Sequence, residues 1–145
     1  MTPGDASCTV GHLDHVGIAV TSVEAALAVF SRLLDAPEAP IIEAPEAGLR
    51  AALVAQGQTR IEFLEPLDPD GPIGRFIARH GEGLHHIAFQ VDDIDAKLAQ
   101  LKALDVPLLD QEPRQGLTGR IAFLRPEAAH HVLVELVQPP GRERP

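Results

Sequence analysis

Two histidines and two glutamates stand at matching places in two similar stretches of the sequence. His15 opens the run His-Val-Gly-Ile-Ala-Val, and His86 opens the run His-Ile-Ala-Phe-Gln-Val. Later in each stretch comes a second strand-like run, Arg-Ile-Glu-Phe-Leu-Glu-Pro with Glu62 and Leu-Val-Glu-Leu-Val-Gln-Pro with Glu135. Imidazole and carboxylate ligands together suit Zn, Co, Ni, Mn or Fe(II). The pattern therefore predicts one divalent metal site with His15, Glu62, His86 and Glu135 as ligands.

The same stretches predict a duplicated module that positions these four residues. Each reads as a strand that begins with histidine, then a helix, then two or three further strands. Because side chains alternate between the two faces of a strand, His15 shares its face with the small residues Gly17 and Ala19. The opposite, apolar face is expected to pack on a helix. Duplication of such a module predicts an α+β fold with a curved mixed sheet and helices on its outer face.

The boundaries follow from turn-rich and polar segments. A single domain is predicted over residues 12–139, with module one at about 12–70 and module two at about 83–139. Residues 1–11 and 140–145 are predicted to be flexible tails because they are polar and lack periodicity.

Local signals place the helices and one hairpin. Thr21 with Glu24 three positions later is a capping-box pattern at the start of the first helix. Asp92 or Asp93 is expected to cap the second module's helix. The triplet Gln-Gly-Gln at 56–58 predicts a hairpin between two strands.

Composition excludes several classes of partner. A net charge of −9 argues against nucleic acid or an anionic membrane surface. No stretch approaches the roughly 20 apolar residues that cross a bilayer. The single cysteine, Cys8, cannot form an intramolecular disulfide, which fits a reducing compartment. We therefore expect a cytoplasmic protein with a small-molecule partner and with neither nucleic acid nor membrane.

The other histidines carry weaker signals. His85 neighbours His86, but alternation puts the two on opposite faces and the repeat selects His86. Surface positions are predicted for the rest: His12 in a loop, His80 at the end of a short helix, and His130 with His131 in a turn.

Arg114 and Arg120 bracket a loop that contains two glycines. They are either solvated charges or contacts to an anionic substrate, and we take both as candidate substrate-binding residues. The sequence contains no Gly-rich phosphate loop, nucleophile elbow or Cys cluster, so the chemistries that depend on these motifs receive no support and no cofactor-binding residue is predicted besides the metal ligands.

The chain resembles the vicinal oxygen chelate superfamily, and within it the methylmalonyl-CoA epimerase family. The most specific stretches are Leu13–Ala19, Gly81–Phe89, Val91–Ala96, Glu112–Arg114 and Val132–Leu136. The resemblance implies paired βαβββ modules forming a cupped sheet around a divalent metal, whether Co, Mn, Ni, Zn or Fe. By motif its ligands fall on His15, Glu62, His86 and Glu135, where many epimerases have Gln in place of Glu62. It also implies a homodimer.

The implied reaction is the interconversion of (R)- and (S)-methylmalonyl-CoA. A base removes the α-proton of the acyl-CoA, the metal stabilises the resulting enolate, and the proton returns on the other face. Glu135 is the candidate base on one face, and Glu62 or a metal-bound water is the candidate on the other. The chain departs from the family at Ala51, where several bacterial relatives carry a glutamate, and at Arg125-Pro126, where the family has His-Pro.

Two other functions remain open. A glyoxalase I-type isomerase shares the metal set and the α-proton transfer. A non-catalytic small-molecule binding protein of the same fold is supported by the alanine at position 51. An extradiol dioxygenase is disfavoured because it uses two His and one carboxylate, and a fourth ligand would crowd its open position.

Overall fold

The computed structural model describes residues 9–141. Within these residues the strands are β1 (Val10–Ala19), β2 (Ile42–Ala44), β3 (Leu49–Gln56), β4 (Thr59–Pro66), β5 (Gly83–Val91), β6 (Arg114–Gln115), β7 (Arg120–Phe123) and β8 (Val134–Gln138). The α-helices are α1 (Val23–Leu33), α2 (Pro72–His80) and α3 (Ile94–Ala103). Cys8 and most residues of both predicted tails lie outside the described residues, so the predictions made for them stay predictions.

The chain divides into two compact units. The first module is His15–His85, and the second module consists of the described residues of 1–14 together with those of 86–145. β1 begins at Val10, two residues before the predicted start of the domain. The five residues 10–14 of this strand belong to the second module, a division that the sequence did not indicate.

Both modules have the same topology. In the first, the strand order is β2-β3-β4-β1, with β1 parallel to β4 and the other pairs antiparallel. In the second, the order is β6-β7-β8-β5, with β5 parallel to β8 and the other pairs antiparallel. Each module is therefore a βαβββ unit with a mixed sheet, and the predicted α+β fold with tandem modules is confirmed.

The strand register repeats as well. Glu62 pairs with Gly17 across the parallel strands β1 and β4. Glu135 pairs with Ala88 across β5 and β8. In each module the glutamate thus lies beside the residue two positions after the histidine. Since partners in a register point to the same face, the His and Glu of a module share one face of its sheet, which we call the His/Glu face.

The opposite face of each sheet packs on a helix. In the first module, α1 inserts Val23 and Leu27 among buried residues of the sheet, and Phe30 lies 4.9 Å from Phe63 between ring centroids. In the second module, α3 packs through Ile94 and Leu98. Burial of such side chains stabilises the fold by about 1.5–3 kcal/mol each.

The helix starts differ in part from prediction. α1 is capped by Ser22, whose hydroxyl accepts a 3.1 Å hydrogen bond from the backbone N–H three residues later. The predicted cap, Thr21, is wrong because its backbone N–H and its hydroxyl both donate to the carboxylate of Glu82. At α3, Asp93 is the cap, as one of the two predicted alternatives.

The loops hold two strands that the sequence did not reveal. β2 lies in a Pro- and Glu-rich stretch of the sequence, and β6 begins at Arg114, at the start of the predicted glycine-containing loop. The predicted hairpin is confirmed, with Gln56 paired to Thr59. Gly57 adopts φ 62° in its turn, a conformation that favours glycine.

α2 fills the predicted link between the modules and covers part of the His/Glu face of the first module. Ile73 packs on Ala19 and Leu64. By alternation along β1 and β4, these two residues lie on the face that carries His15 and Glu62. Among the described residues, no helix combines the length and apolar character needed to cross a bilayer.

Candidate metal centre

The first module brings His15 and Glu62 together. His15 lies in β1 and Glu62 in β4, and His15 Nε2 is 3.5 Å from Glu62 Oε1. Their residues are 0% and 4% exposed. The short distance follows from the parallel register, because Glu62 lies beside Gly17, which is two residues after His15 on the same face of the sheet.

The second module repeats this pair with His86 and Glu135. His86 Nε2 is 3.0 Å from Glu135 Oε2. The residues are 5% and 3% exposed. Here the register partner of the glutamate is Ala88, again a small side chain. Each sequence-predicted histidine is therefore adjacent to the glutamate of its own module.

The donor chemistry of the pairs fits a divalent cation. Burying a carboxylate is costly unless it is paired or coordinates a metal. His15, His86 and Glu135 each offer a ligand atom from a buried side chain. Two ligand atoms on one cation, each about 2.0–2.2 Å from it, are about 3.0–3.5 Å apart, depending on the angle between them at the metal. The N–O separations of 3.5 Å and 3.0 Å lie in this range.

Phe123 borders the second pair, a position that was not predicted from the sequence. Its ring lies 5.6 Å from the His86 ring at an interplanar angle of 84°. Its Cα partner across β7 and β8 is Glu135, just as Leu53 is the partner of Glu62. The signal that could have identified Phe123 is its place in the strand before Glu135, equivalent to the place of Leu53 before Glu62.

The two candidate substrate arginines lie in different surroundings. The Arg114 guanidinium is 5.6 Å from the centroid of the Phe123 ring, which belongs to the His/Glu face. Arg120 instead donates to both carboxylate oxygens of Asp95, at 2.8 and 3.2 Å. This pairing holds the pKa of Asp95 below its usual value. Asp95 lies in the first turn of α3, so Arg120 is engaged at the helix-covered face.

The remaining histidines are not members of the two pairs. His85 contacts Phe76 of α2, with ring centroids 5.0 Å apart. His80, His130 and His131 are exposed, as predicted. The loop prediction for His12 is wrong: it is a half-buried residue of β1, because this strand begins at Val10.

Ala51 occupies the position where several bacterial relatives of the family were expected to carry a glutamate. It is 0% exposed and packs in an apolar cluster with Leu64 of β4 and Ile73 of α2. The covering by α2 leaves this position without access to solvent. Because residue 51 is an alanine, it cannot act as a base. Its apolar surroundings suit a small apolar side chain.

Tandem βαβββ modules with a buried His and Glu in each define a class of duplicated α+β proteins suited to divalent-metal chemistry. The family model described as the Glyoxalase/Bleomycin resistance protein/Dioxygenase superfamily matches residues 14–123. The chain belongs to this family, which confirms the resemblance predicted from the sequence.

Within the family, the chain is similar to several methylmalonyl-CoA epimerases. The chain is 37% identical to human mitochondrial methylmalonyl-CoA epimerase over 131 residues, covering 89% of this chain and 74% of the relative. It is 36% identical to the ethylmalonyl-CoA/methylmalonyl-CoA epimerase of Cereibacter sphaeroides, covering 89% and 98%. A Streptomyces coelicolor methylmalonyl-CoA epimerase variant in complex with 2-nitronate-propionyl-CoA matches with a TM-score of 0.84 and 34% identity, covering 94% of this chain and 100% of that one.

Proposed function

We propose that this protein is a metal-dependent epimerase that interconverts the (R) and (S) forms of methylmalonyl-CoA. The observation that carries the proposal is the repeated buried pair, His15 with Glu62 and His86 with Glu135, at the same register in both modules. Its support from relatives is the identity of 37% and 36% to two epimerases of malonyl-type CoA thioesters.

We propose that His15, Glu62, His86 and Glu135 together hold one divalent metal ion. Two imidazole nitrogens and two carboxylate oxygens suit Co, Mn, Ni, Zn or Fe(II), and the ligand types do not select among them. When bound, the ion polarises a carbonyl group as a Lewis acid, which makes the adjacent α-proton more acidic.

The glutamates supply the acid–base chemistry in this proposal. Inversion at the α-carbon needs one group to remove the proton and a second to return it on the opposite face. Glu135 serves as the base on one face. Glu62 serves on the other, because position 51 holds an alanine under α2. A carboxylate at position 62, where many epimerases have glutamine, supplies a second proton carrier in place of a glutamate at position 51.

Arg114 is proposed to bind an anionic group of the substrate. Its side chain is 56% exposed and its ion pair with Asp110 is long, at 3.4 Å. An exposed guanidinium in a loose pair can exchange its partner for a substrate carboxylate at little cost. The bidentate pairing of Arg120 with Asp95 favours a structural role for that residue.

The test is proton NMR of methylmalonyl-CoA in D₂O with metal-loaded protein, and with protein stripped by EDTA as the control. We expect the α-proton signal to disappear only with the metal-loaded protein. Glu135→Gln is expected to retain the metal and lose at least about a hundredfold in exchange rate. Full exchange by this variant would exclude Glu135 as a base. Saturable binding without any exchange by the wild type would overturn the epimerase and favour a binding protein.

A further inference from the structure

Phe123 contacts both members of the second module's pair. It lies directly opposite Glu135 in the antiparallel register of β7 and β8. Its ring meets the His86 ring edge-to-face, 5.6 Å away at 84°. Such ring pairs contribute roughly 0.5–1.5 kcal/mol beyond the area they bury. Rotation of the imidazole about its Cβ–Cγ bond would disrupt this contact, so Phe123 restrains the direction in which the His86 nitrogens point.

Phe123 is itself fixed by the segment before β6. Its backbone N–H donates to Asp110 Oδ2 at 2.8 Å. Its carbonyl accepts bonds from the N–H groups of Leu109 and Asp110 at 3.0 and 3.1 Å. These three bonds hold the backbone of Phe123 from the side of β7 that faces away from β8.

A second contact acts on the ring. Arg114 Nε donates to Asp110 Oδ1 at 3.4 Å, and its guanidinium lies 5.6 Å from the Phe123 ring centroid. A cation within about 6 Å of an aromatic ring attracts it. Asp110 thus binds the backbone of Phe123 with one oxygen and the cation at its ring with the other.

The first module has a different residue at this point. Leu53 lies opposite Glu62 in the register that Phe123 and Glu135 share in the second module. A leucine at that position offers no edge-to-face contact to an imidazole. The pairs also differ in separation, 3.5 Å in the first module and 3.0 Å in the second.

We propose that Phe123 is the positioning residue that orients the His86 imidazole for metal binding, with Asp110 and Arg114 acting through Phe123. The metal in this statement rests on the proposed function, whereas the orientation of the ring is a property of the metal-free protein. Residues that orient a metal-ligating histidine influence metal affinity although they do not touch the ion.

The test compares Phe123→Leu with Ile121→Leu. Ile121 lies in the same strand and on the same face, within the apolar cluster of Ala88 and Val137, and its substitution conserves volume. The probe is Co(II), followed by its visible absorption spectrum and by competition with a chelator. We expect Phe123→Leu to weaken Co(II) binding about tenfold and to alter the spectrum. Ile121→Leu is expected to change neither.

A second readout uses the metal-free protein. In wild type the His86 imidazole signals in ¹H–¹³C NMR are expected to be sharp and shifted by the neighbouring ring, and in Phe123→Leu to lose that shift and broaden. Unchanged His86 signals and unchanged Co(II) affinity in Phe123→Leu would overturn the proposal. If wild type binds no Co(II), the metal of the proposed function fails, while the His86 signals still decide the positioning role.

Should Phe123→Leu fail to fold, Arg114→Gln takes its place, because the Arg114 side chain is 56% exposed and its loss leaves the core intact. We expect a smaller loss of Co(II) affinity and a measurable change in the His86 signals. If Arg114→Gln has the wild-type Co(II) affinity and the wild-type His86 signals, the proposed chain of contacts from Arg114 through Phe123 to His86 is overturned.

Discussion

Ala51 lies directly opposite Leu64 in the antiparallel pair β3 and β4, and Ile73 of α2 packs on both. This contact closes the position at which several bacterial relatives were expected to supply a base. The chain differs from the family pattern at two related positions. It has no carboxylate at position 51, and it has one at position 62. Under the proposed function, the acid–base carboxylate of the first module is Glu62 on β4 and not a residue of β3.

Ala51→Glu is therefore expected to destabilise the protein rather than to add a base. The new carboxylate would be buried among apolar side chains without a partner, at a cost of about 3–5 kcal/mol. Urea denaturation would measure the loss. The matched control is Ala55→Glu, on the same face of β3 but at its exposed end, where the effect is expected to stay within about 0.5 kcal/mol. Equal stabilities of the two variants would contradict the burial argument.

Glu62→Gln separates proton removal from inversion. If Glu135 and Glu62 act on opposite faces, the variant still exchanges the α-proton of one epimer with solvent through Glu135. Inversion is expected to fall at least about a hundredfold, because no group returns the proton on the other face. NMR in D₂O for exchange, with a chiral assay for inversion, would be run from each pure epimer.

The control for this experiment is Glu65→Gln, in the same strand but on its opposite face, where Glu65 Oε1 accepts a 2.9 Å bond from the backbone of Val23. That variant is expected to lose stability while the ratio of exchange to inversion stays at its wild-type value. Inversion by Glu62→Gln at the wild-type rate would exclude Glu62 as the second base.

The His–Glu pairs could be predicted because duplication and strand alternation can both be recognised in the sequence itself. Duplication matched His15 to His86, and alternation placed each glutamate on the same face as the histidine of its module. The contact of Phe123 with His86 depends on the pairing of β7 with β8 and on the segment around Asp110, which no short-range signal reveals. β6 could not be predicted because it has only two residues, which are too few to show the alternation of apolar and polar side chains that marks a strand.

The start of α1 illustrates the same limit. Thr21 and Ser22 are both competent helix caps by residue type. The choice is made by Glu82, which is distant in the sequence and accepts both bonds from Thr21. Propensity alone therefore could not decide between the two neighbours.

Arg114→Gln is expected to raise the KM for methylmalonyl-CoA about tenfold with little change in kcat. A hydrogen bond to a charged group contributes about 1.5–3 kcal/mol, and its loss weakens binding of the ground state and the transition state alike. Steady-state kinetics would measure it at a metal concentration that saturates both wild type and the variant, so that the smaller Co(II) affinity expected for the variant does not affect kcat. Arg32→Gln, an exposed arginine in the last turn of α1, controls for the change in net charge. An unchanged KM for Arg114→Gln would remove Arg114 from the substrate site.

Asp95 makes the stability of the second module depend on pH in a defined direction. Its hydrogen bonds from Arg120 lower its pKa in the folded protein. A lowered pKa means that the pair stabilises the fold above the ordinary aspartate pKa of about 3.9, and that this contribution is lost as pH falls through the folded-state value. Since the Asp95 side chain is 61% exposed, the contribution is about 1 kcal/mol or less.

Asp95→Asn is thus expected to be less stable than wild type at pH 7, and the difference is expected to shrink below about pH 4 because wild type then loses the same ion pair. Urea denaturation at pH 7 and pH 3 would measure both differences. Glu38→Gln, which removes the charge of an exposed carboxylate, is the control for net charge. If Asp95→Asn differs from wild type by the same free energy of unfolding at both pH values, the Arg120 pair does not stabilise α3 through the charge of Asp95.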